Sequence, residues 1–240
     1  MLYTILELLV RLYGLISVPI KEIKFHDGSS HYICQESYNK LLKLLKKKTF
    51  KNSKYSNGIF KDKLYLISFK GIQLVGEAYR SLTIENAGGN SVYSEAISIQ
   101  YFEKIWKARD IILEMEVSYW IKYKMVDYIC SIQGNRIGVS VTRAMSYPEP
   151  SHFTYKDAVK LLRKKIYGLI VSRSSVVKSQ RFYKSVLHIF CQTEQIAQFL
   201  HKAYISFDEE DFNLQVKSDI IVILTISSQP ELYSNYIKYT

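Results

Sequence analysis

Cysteine, proline and glycine are all scarce in this chain of 240 residues, at 3, 4 and 10 respectively. So little Gly and Pro excludes collagen-like and low-complexity classes, and 48% apolar residues exclude disorder. Cys34, Cys130 and Cys191 are odd in number and far apart. That excludes a disulfide framework and implies reduced, intracellular usage, nuclear or cytoplasmic. No CxxC occurs, and the five histidines have no metal-ligand spacing. His26, His31 and Cys34 cluster without a second close ligand pair, so no structural zinc is expected. GxGxxG, GxxxxGK[ST] and GxSxG are absent, which leaves Rossmann, P-loop and α/β-hydrolase chemistry unsupported. A chain of this length buries roughly 70–75% of its unfolded surface and needs no covalent staple.

Long apolar runs are also missing. The first 20 residues are rich in Leu, Ile and Val but contain Glu7 and Arg11, each costly at a bilayer centre. No basic stretch precedes them and no small-residue cleavage site follows. Glu7 and Arg11 are an i, i+4 pair opposite an apolar face of Leu2, Ile5, Leu6 and Leu9. The expectation is a core-packed amphipathic helix ending near Gly14 or before Pro19, not a transmembrane segment.

Acids are outnumbered, 22 against 33 Lys and Arg, for a net charge of +11. The excess is concentrated. Residues 40–63 hold nine lysines and one acid, Asp62, and so carry +8. Leu41, Leu42, Leu44 and Leu45 are interleaved, so the segment begins as an amphipathic helix carrying Lys46, Lys47 and Lys48 and runs on through Lys51. A solvated helix face, a phosphate-binding patch and a contact with anionic membrane all fit such a run.

Two regions are expected: 1–85, a mixed N-terminal extension with the basic helix, and 86–240, an α/β domain. Ala87-Gly88-Gly89-Asn90-Ser91 marks the break. In the first region, residues 20–25, 64–69 and 72–77 read as strand-like. Beyond the break the expected order is helix 91–113, strands 116–122, 125–132 and 136–144, helix 154–173, strand 185–191, helix 193–205 and strand 219–227. Gly134-Asn135 reads as the tight turn of a hairpin. Thr154 and Asp157 resemble a capping box, and Thr193 an N-cap.

With that turn, Asp127 lies opposite Thr142 and shares a sheet face with Ser140 and Thr142. Val126, Tyr128 and Cys130 point to the other face. An Asp in an apolar strand is costly unless it is paired or binds a cation. At helical spacing Glu95 falls in line with Ile99, Phe102 and Trp106, toward the sheet. The macrodipole also favours an acid so near a helix start.

Helix with Glu95, strand, strand with Asp127, strand, helix, strand is similar to the αβββαβ core of the PD-(D/E)xK nuclease-like superfamily, over about residues 91–191. The stretch from Gly88 to Ala96, with Gly138-Val139-Ser140-Val141-Thr142-Arg143-Ala144, resembles an uncharacterised eukaryotic family within it. The resemblance implies a restriction-endonuclease-like fold. It also implies a divalent metal, Mg²⁺, held by Glu95 and Asp127. The chain departs at the (D/E)xK positions, where Ser140 and Thr142 replace the acid and the lysine. A displaced lysine would be Lys165, which borders the apolar stripe of its helix; the ordinary reading of such a residue is a snorkelling lysine. Lys160 and Lys164 add outward positive charge there.

Three readings follow. The domain binds nucleic acid with degenerate or absent catalysis. Or it is an active Mg²⁺-dependent phosphodiesterase using Glu95, Asp127, Ser140, Thr142 and Lys165. Or it is a protein-interaction or membrane-surface module.

Overall fold

The computed structural model describes residues 19–25, 28–46, 58–66, 73–84, 91–146, 149–207 and 219–233. The helix expected over the first 20 residues, and Lys47, Lys48, Lys51 and Lys54, lie outside these ranges. The described chain runs β1 (Ile20–Lys24), β2 (Ser30–Cys34), α1 (Gln35–Lys46), β3 (Ile59–Tyr65), α2 (Gly76–Thr83) and α3 (Val92–Ile105). It continues through β4 (Arg109–Leu113), β5 (Tyr128–Ile132), β6 (Asn135–Ala144), α4 (Tyr155–Ser175), β7 (Lys184–Cys191), α5 (Glu194–Ser206) and β8 (Ile220–Ile226).

The strands form one mixed sheet of eight, in the order β1-β2-β3-β8-β7-β6-β5-β4. β4, β5 and β6 are an antiparallel meander. β7 then lies parallel to β6, and β8 parallel to β7, with α4 and α5 making the crossovers. The N-terminal strands join the same sheet, β3 running parallel to β8. The class is mixed α/β, with helices on both faces. β7 is buried along its whole length and β8 nearly so, as central strands covered on two sides must be.

Two apolar layers sandwich the sheet. On one face Leu41, Leu44 and Leu45 of α1 and Ile99, Phe102 and Ile105 of α3 pack on Tyr128, Cys130, Val139, Val141, Val186 and Ile223. On the other, Leu162, Ile166 and Leu169 of α4 and Ile196, Leu200 and Tyr204 of α5 pack on Ile129, Leu187, Ile189, Val222 and Leu224. Alternation along each strand feeds both layers. Thr154 and Asp157 form the expected capping box of α4, and the Thr193 hydroxyl accepts the Ile196 amide at the start of α5.

Several local expectations are corrected. The helix expected over 91–113 ends at Ile105. Lys107 takes a left-handed φ of 58° just beyond it, and the apolar run Ile111 to Leu113 becomes β4. Residues 116–122 are not a strand; a short 3₁₀ turn at Glu114–Glu116 opens a loop instead. Residues 76–77 start a helix, not the end of a strand. The stretch holding His31 and Cys34 is β2, a strand for which no element is expected above. The hairpin turn is Gln133-Gly134, with φ of 50° and 79°, so Ile132 pairs with Asn135. A two-residue turn of this hand needs positive φ at both central positions, and Gly serves best at the second. The register therefore moves by two residues. Asp127 sits beside Ser140 instead of Thr142, while the faces stay as expected because the shift is even. Val126 is the exception. β5 begins only at Tyr128, so alternation does not extend to Val126, which packs in the α4 layer.

Candidate functional site

Asp127 precedes the first residue of β5, and its side chain takes over a ladder bond. Its Oδ2 accepts the Val141 amide at 2.6 Å, while its own amide donates to the Val139 carbonyl at 3.0 Å. The Ser140 hydroxyl, itself buried, also supports the carboxylate. Burial pushes the Asp127 carboxyl up, and the neighbouring Lys165 charge and these hydrogen bonds pull only partly against it.

Glu95 reaches the same cleft from the first turn of α3. It is half-buried, whereas Ile99, Phe102 and Trp106 on its stripe are fully buried. Ser91 is the N-cap residue of α3, yet its hydroxyl donates to the Glu95 carboxylate and accepts no backbone amide. Burial, and then the Asp127 and Glu114 charges, raise the Glu95 carboxyl to about 7. Glu114, directly after β4, lines the cleft with Glu95, Asp127, Ser81 and Leu113. The sequence pattern does not single it out, because the helix expected over 91–113 runs through β4. The available signal was an acid placed immediately after the apolar run Ile111 to Leu113.

Two cations flank the acids from opposite faces. Lys165 of α4 donates from Nζ to the Val141 carbonyl at 3.2 Å, and its charge favours the ionised forms of Asp127 and Glu95. It reaches inward, as one of its two readings required. Arg143 of β6 is half-buried; burial lowers its guanidinium, and Glu95 is the first opposing influence. Thr142 lies on the Asp127 face of β6, half-buried. Lys160 and Lys164 are exposed on α4. Lys46 is exposed at the end of α1, across the sheet from α4, so it does not join them. Lys61 and Lys63 both contact Glu194 at the start of α5.

A divalent cation fits this arrangement poorly. Glu95 is engaged by Ser91, and Asp127 by Val141 and Ser140. Among the described residues no group of three or more His, Cys, Asp and Glu side chains could hold an ion. The cleft is instead a cluster of crowded carboxylates held against two cations, able to exchange a proton near neutrality at Glu95 and to present positive charge at Lys165 and Arg143.

A second polar cluster supports the first from inside. Oδ2 of Asp62 meets Nε2 of His31 at 2.9 Å and accepts the Tyr101 hydroxyl at 2.5 Å. His188 bonds Thr225 through Nε2 at 2.9 Å and Ser98 through Nδ1 at 2.8 Å, and Ser98 also meets the Tyr128 hydroxyl at 2.8 Å. All seven side chains are buried. Ser98 lies one turn beyond Glu95 on α3, and Tyr128 follows Asp127. The bond between them fixes the helix to the strand at the point where the two acids meet.

Among the described residues no helix is long and apolar enough to cross a membrane, and Cys34, Cys130 and Cys191 are free thiols. No protein-family model matches the chain, and no solved structure matches it. Among curated proteins it is similar to the "AAC-rich mRNA clone AAC4 protein" of Dictyostelium discoideum, 31% identical over 131 residues. That similarity covers 52% of this chain and 19% of that protein, so the chain spans about a fifth of the relative's length.

Proposed function

We propose that the chain is a nuclease-like module, of the restriction-endonuclease-like αβββαβ kind, that binds nucleic acid at the carboxylate cleft without cleaving it. One observation carries this reading. Glu95 and Asp127, the two acids singled out by the resemblance, converge at the open end of a meander whose next helix crosses over to a parallel strand. Lys165 and Arg143 beside them, with Lys160 and Lys164 exposed along α4, supply positive charge for a phosphate backbone. The hydroxyls of Ser140 and Thr142, where the superfamily has an acid and a lysine, argue against catalysis. So does the poor fit for Mg²⁺. Three free cysteines suit an intracellular setting, nucleus or cytoplasm.

A specific observation favours the runner-up, an active phosphodiesterase with an altered site. Glu114 brings a third acid to the cleft, and Lys165 a lysine. One assay separates the two. The wild type, incubated with single- and double-stranded DNA and RNA and with Mg²⁺ or Mn²⁺, is expected to bind and not to cut. Robust cleavage abolished by Asp127→Asn, with binding kept, would establish the active enzyme. Binding is expected to weaken as salt rises. The double substitution of Lys160 and Lys164 by Ala lowers the salt slope by about 0.7–0.9 per lost phosphate contact. A slope unchanged in that variant would mean these lysines are only a solvated face.

A further inference from the structure

The loop after Glu116 exposes more aromatic surface than any other short stretch among the described residues. Trp120 is 75% exposed, Ile121 70% and Tyr123 64%, in the sequence Trp120-Ile121-Lys122-Tyr123-Lys124. Exposed large apolar groups clustered in this way mark a contact surface.

The loop is braced at its foot. The Trp120 amide donates to the Ser175 carbonyl at 2.8 Å, and the Val177 amide to the Ser118 carbonyl at 3.0 Å. Gln180 accepts the Ser118 amide at 2.6 Å and donates to the Glu116 carbonyl at 3.1 Å. The Tyr119 hydroxyl accepts the Val126 amide at 3.0 Å and closes the loop on itself. These bonds hold the backbone so that Trp120 and Tyr123 project into water with little further ordering to undergo on binding. Lys122 and Lys124 alternate with the rings; the Lys124 ammonium lies 4.9 Å from the Tyr123 ring centroid. Lys178, exposed in the turn that carries Gln180, adds a third cation at the foot.

The loop also adjoins the acidic cleft. Glu114 lines both that cleft and a separate hollow formed by Met115, Val117, Lys122, Tyr123 and Met125. Rings and ammonium groups alternating beside a candidate nucleic-acid site match one ligand chemistry: unpaired bases on a phosphate backbone. Every base offers a face for stacking, but only a single strand leaves that face open.

We propose that residues 118–125 form a stacking platform for single-stranded nucleic acid, with bases on Trp120 and Tyr123 and phosphates on Lys122 and Lys124. The inference rests on the nucleic-acid reading given above and adds the strandedness of the ligand and the residues that select it. A lipid surface is the less favoured partner. The exposed stretch has one aliphatic side chain, Ile121, where a lipid-seated segment presents a broad apolar face.

The chain has two tryptophans, and Trp106 is buried, so a ligand-induced change in indole emission reports Trp120. The full chain is titrated with a short oligothymidylate, with the same sequence as a duplex, and with vesicles of phosphatidylserine and phosphatidylcholine. Quenching is expected with the single strand and not with the duplex. Trp120→Ala is expected to weaken single-strand binding about 5- to 100-fold with an unchanged melting temperature, and Trp120→Phe to restore most of it. The Lys160 and Lys164 double-alanine variant should weaken binding but keep the quench at saturation. Saturable single-strand binding with no quench, or with unchanged affinity in Trp120→Ala, overturns the platform and leaves the nucleic-acid reading standing. A wild type that binds no oligonucleotide overturns both. Quenching by vesicles alone overturns both in favour of a membrane surface.

Discussion

Ser98 and Glu95 sit one turn apart on α3 and look into different surroundings. Ser98 joins a sealed chain of side chains, in which His31 and Tyr101 meet Asp62, and His188 meets Thr225 and Ser98. Glu95 enters a half-open cleft where the nearest charges include two further carboxylates, Asp127 and Glu114. The same helix thus carries a polar group that is satisfied and dry, and one that is crowded by like charge. Burial alone would raise the Asp62 carboxyl, but His31 and the hydroxyl donors overcome it and hold the group below its ordinary range. At Glu95 burial and neighbouring acids act together, and the carboxyl rises. A buried acid with dedicated partners is part of the scaffold. An acid raised by its own kind in a cleft is a candidate for function.

The largest expected effect tests the scaffold half of the contrast. Asp62→Asn leaves His31 and Tyr101 facing a neutral group in a sealed site. It is expected to cost about 3–5 kcal/mol of unfolding free energy, the usual penalty for breaking a buried ion pair. Urea denaturation measures it. A loss below about 1 kcal/mol would mean that Asp62 contributes no more than an exposed acid, and the distinction between the two clusters would fail.

The pH dependence of stability sharpens the comparison, because the two clusters have opposite signs. Burial lowers His188 from its ordinary value near 6.5 to about 4. Its contribution is present above about 6.5 and is lost as pH falls through 4, by about 3 kcal/mol in total. Glu95 is raised from 4.5 to about 7, so its contribution is present below 4.5 and is lost as pH rises through 7. Partial exposure discounts that second effect to about 1–2 kcal/mol. In the wild type the two trends oppose each other between pH 4.5 and 6.5. Glu95→Gln removes one of them. The variant is expected to be more stable than wild type above pH 7 by about 1–2 kcal/mol, and to lose stability more steeply on acidification. Parallel curves for variant and wild type would show that Glu95 does not titrate in the folded state as its surroundings require.

How much of this could be read beforehand differs between the same two regions. Asp127 and the inward stripe of Glu95 were legible, since each depends on period alone: two along a strand, 3.6 along a helix. The β5–β6 hairpin and the helix that leads on to β7 were legible from the sequence of elements, whereas β4 was not, since residues 109–113 read as helix. Glu114 was not, because the end of α3 is set by Lys107 at positive φ, a conformation that nothing in the sequence around Lys107 announces. The sealed cluster was also hidden. His31, Asp62, Ser98 and His188 come from β2, β3, α3 and β7, and each alone looks like an ordinary polar residue. In the sequence His31 stands beside Cys34 without a second ligand pair, and its partner Asp62 is the single acid in a lysine run. Long-range pairing of strands brings such residues together, and local pattern does not register it.

The smallest expected effect concerns Asp127, where the two kinds of acid overlap. Its Oδ2 accepts the Val141 amide as a scaffold group would, yet burial raises its carboxyl and it lines the cleft with Glu95, as in the functional cluster. Two substitutions separate these roles. Asp127→Asn keeps an oxygen for Val141 and removes the charge, so its stability is expected to stay within about 1 kcal/mol of wild type, or to increase. Asp127→Ala removes the acceptor and leaves the Val141 amide unpaired, at a cost of about 1–3 kcal/mol. Mg²⁺ is expected to leave all three melting curves unchanged, because the carboxylate is already engaged. If Asn proves as damaging as Ala, the charge itself is structural and Asp127 belongs with Asp62. If Mg²⁺ raises the wild-type melting temperature and not that of Asp127→Asn, the cleft holds a cation, and the preference for binding without cleavage is reversed.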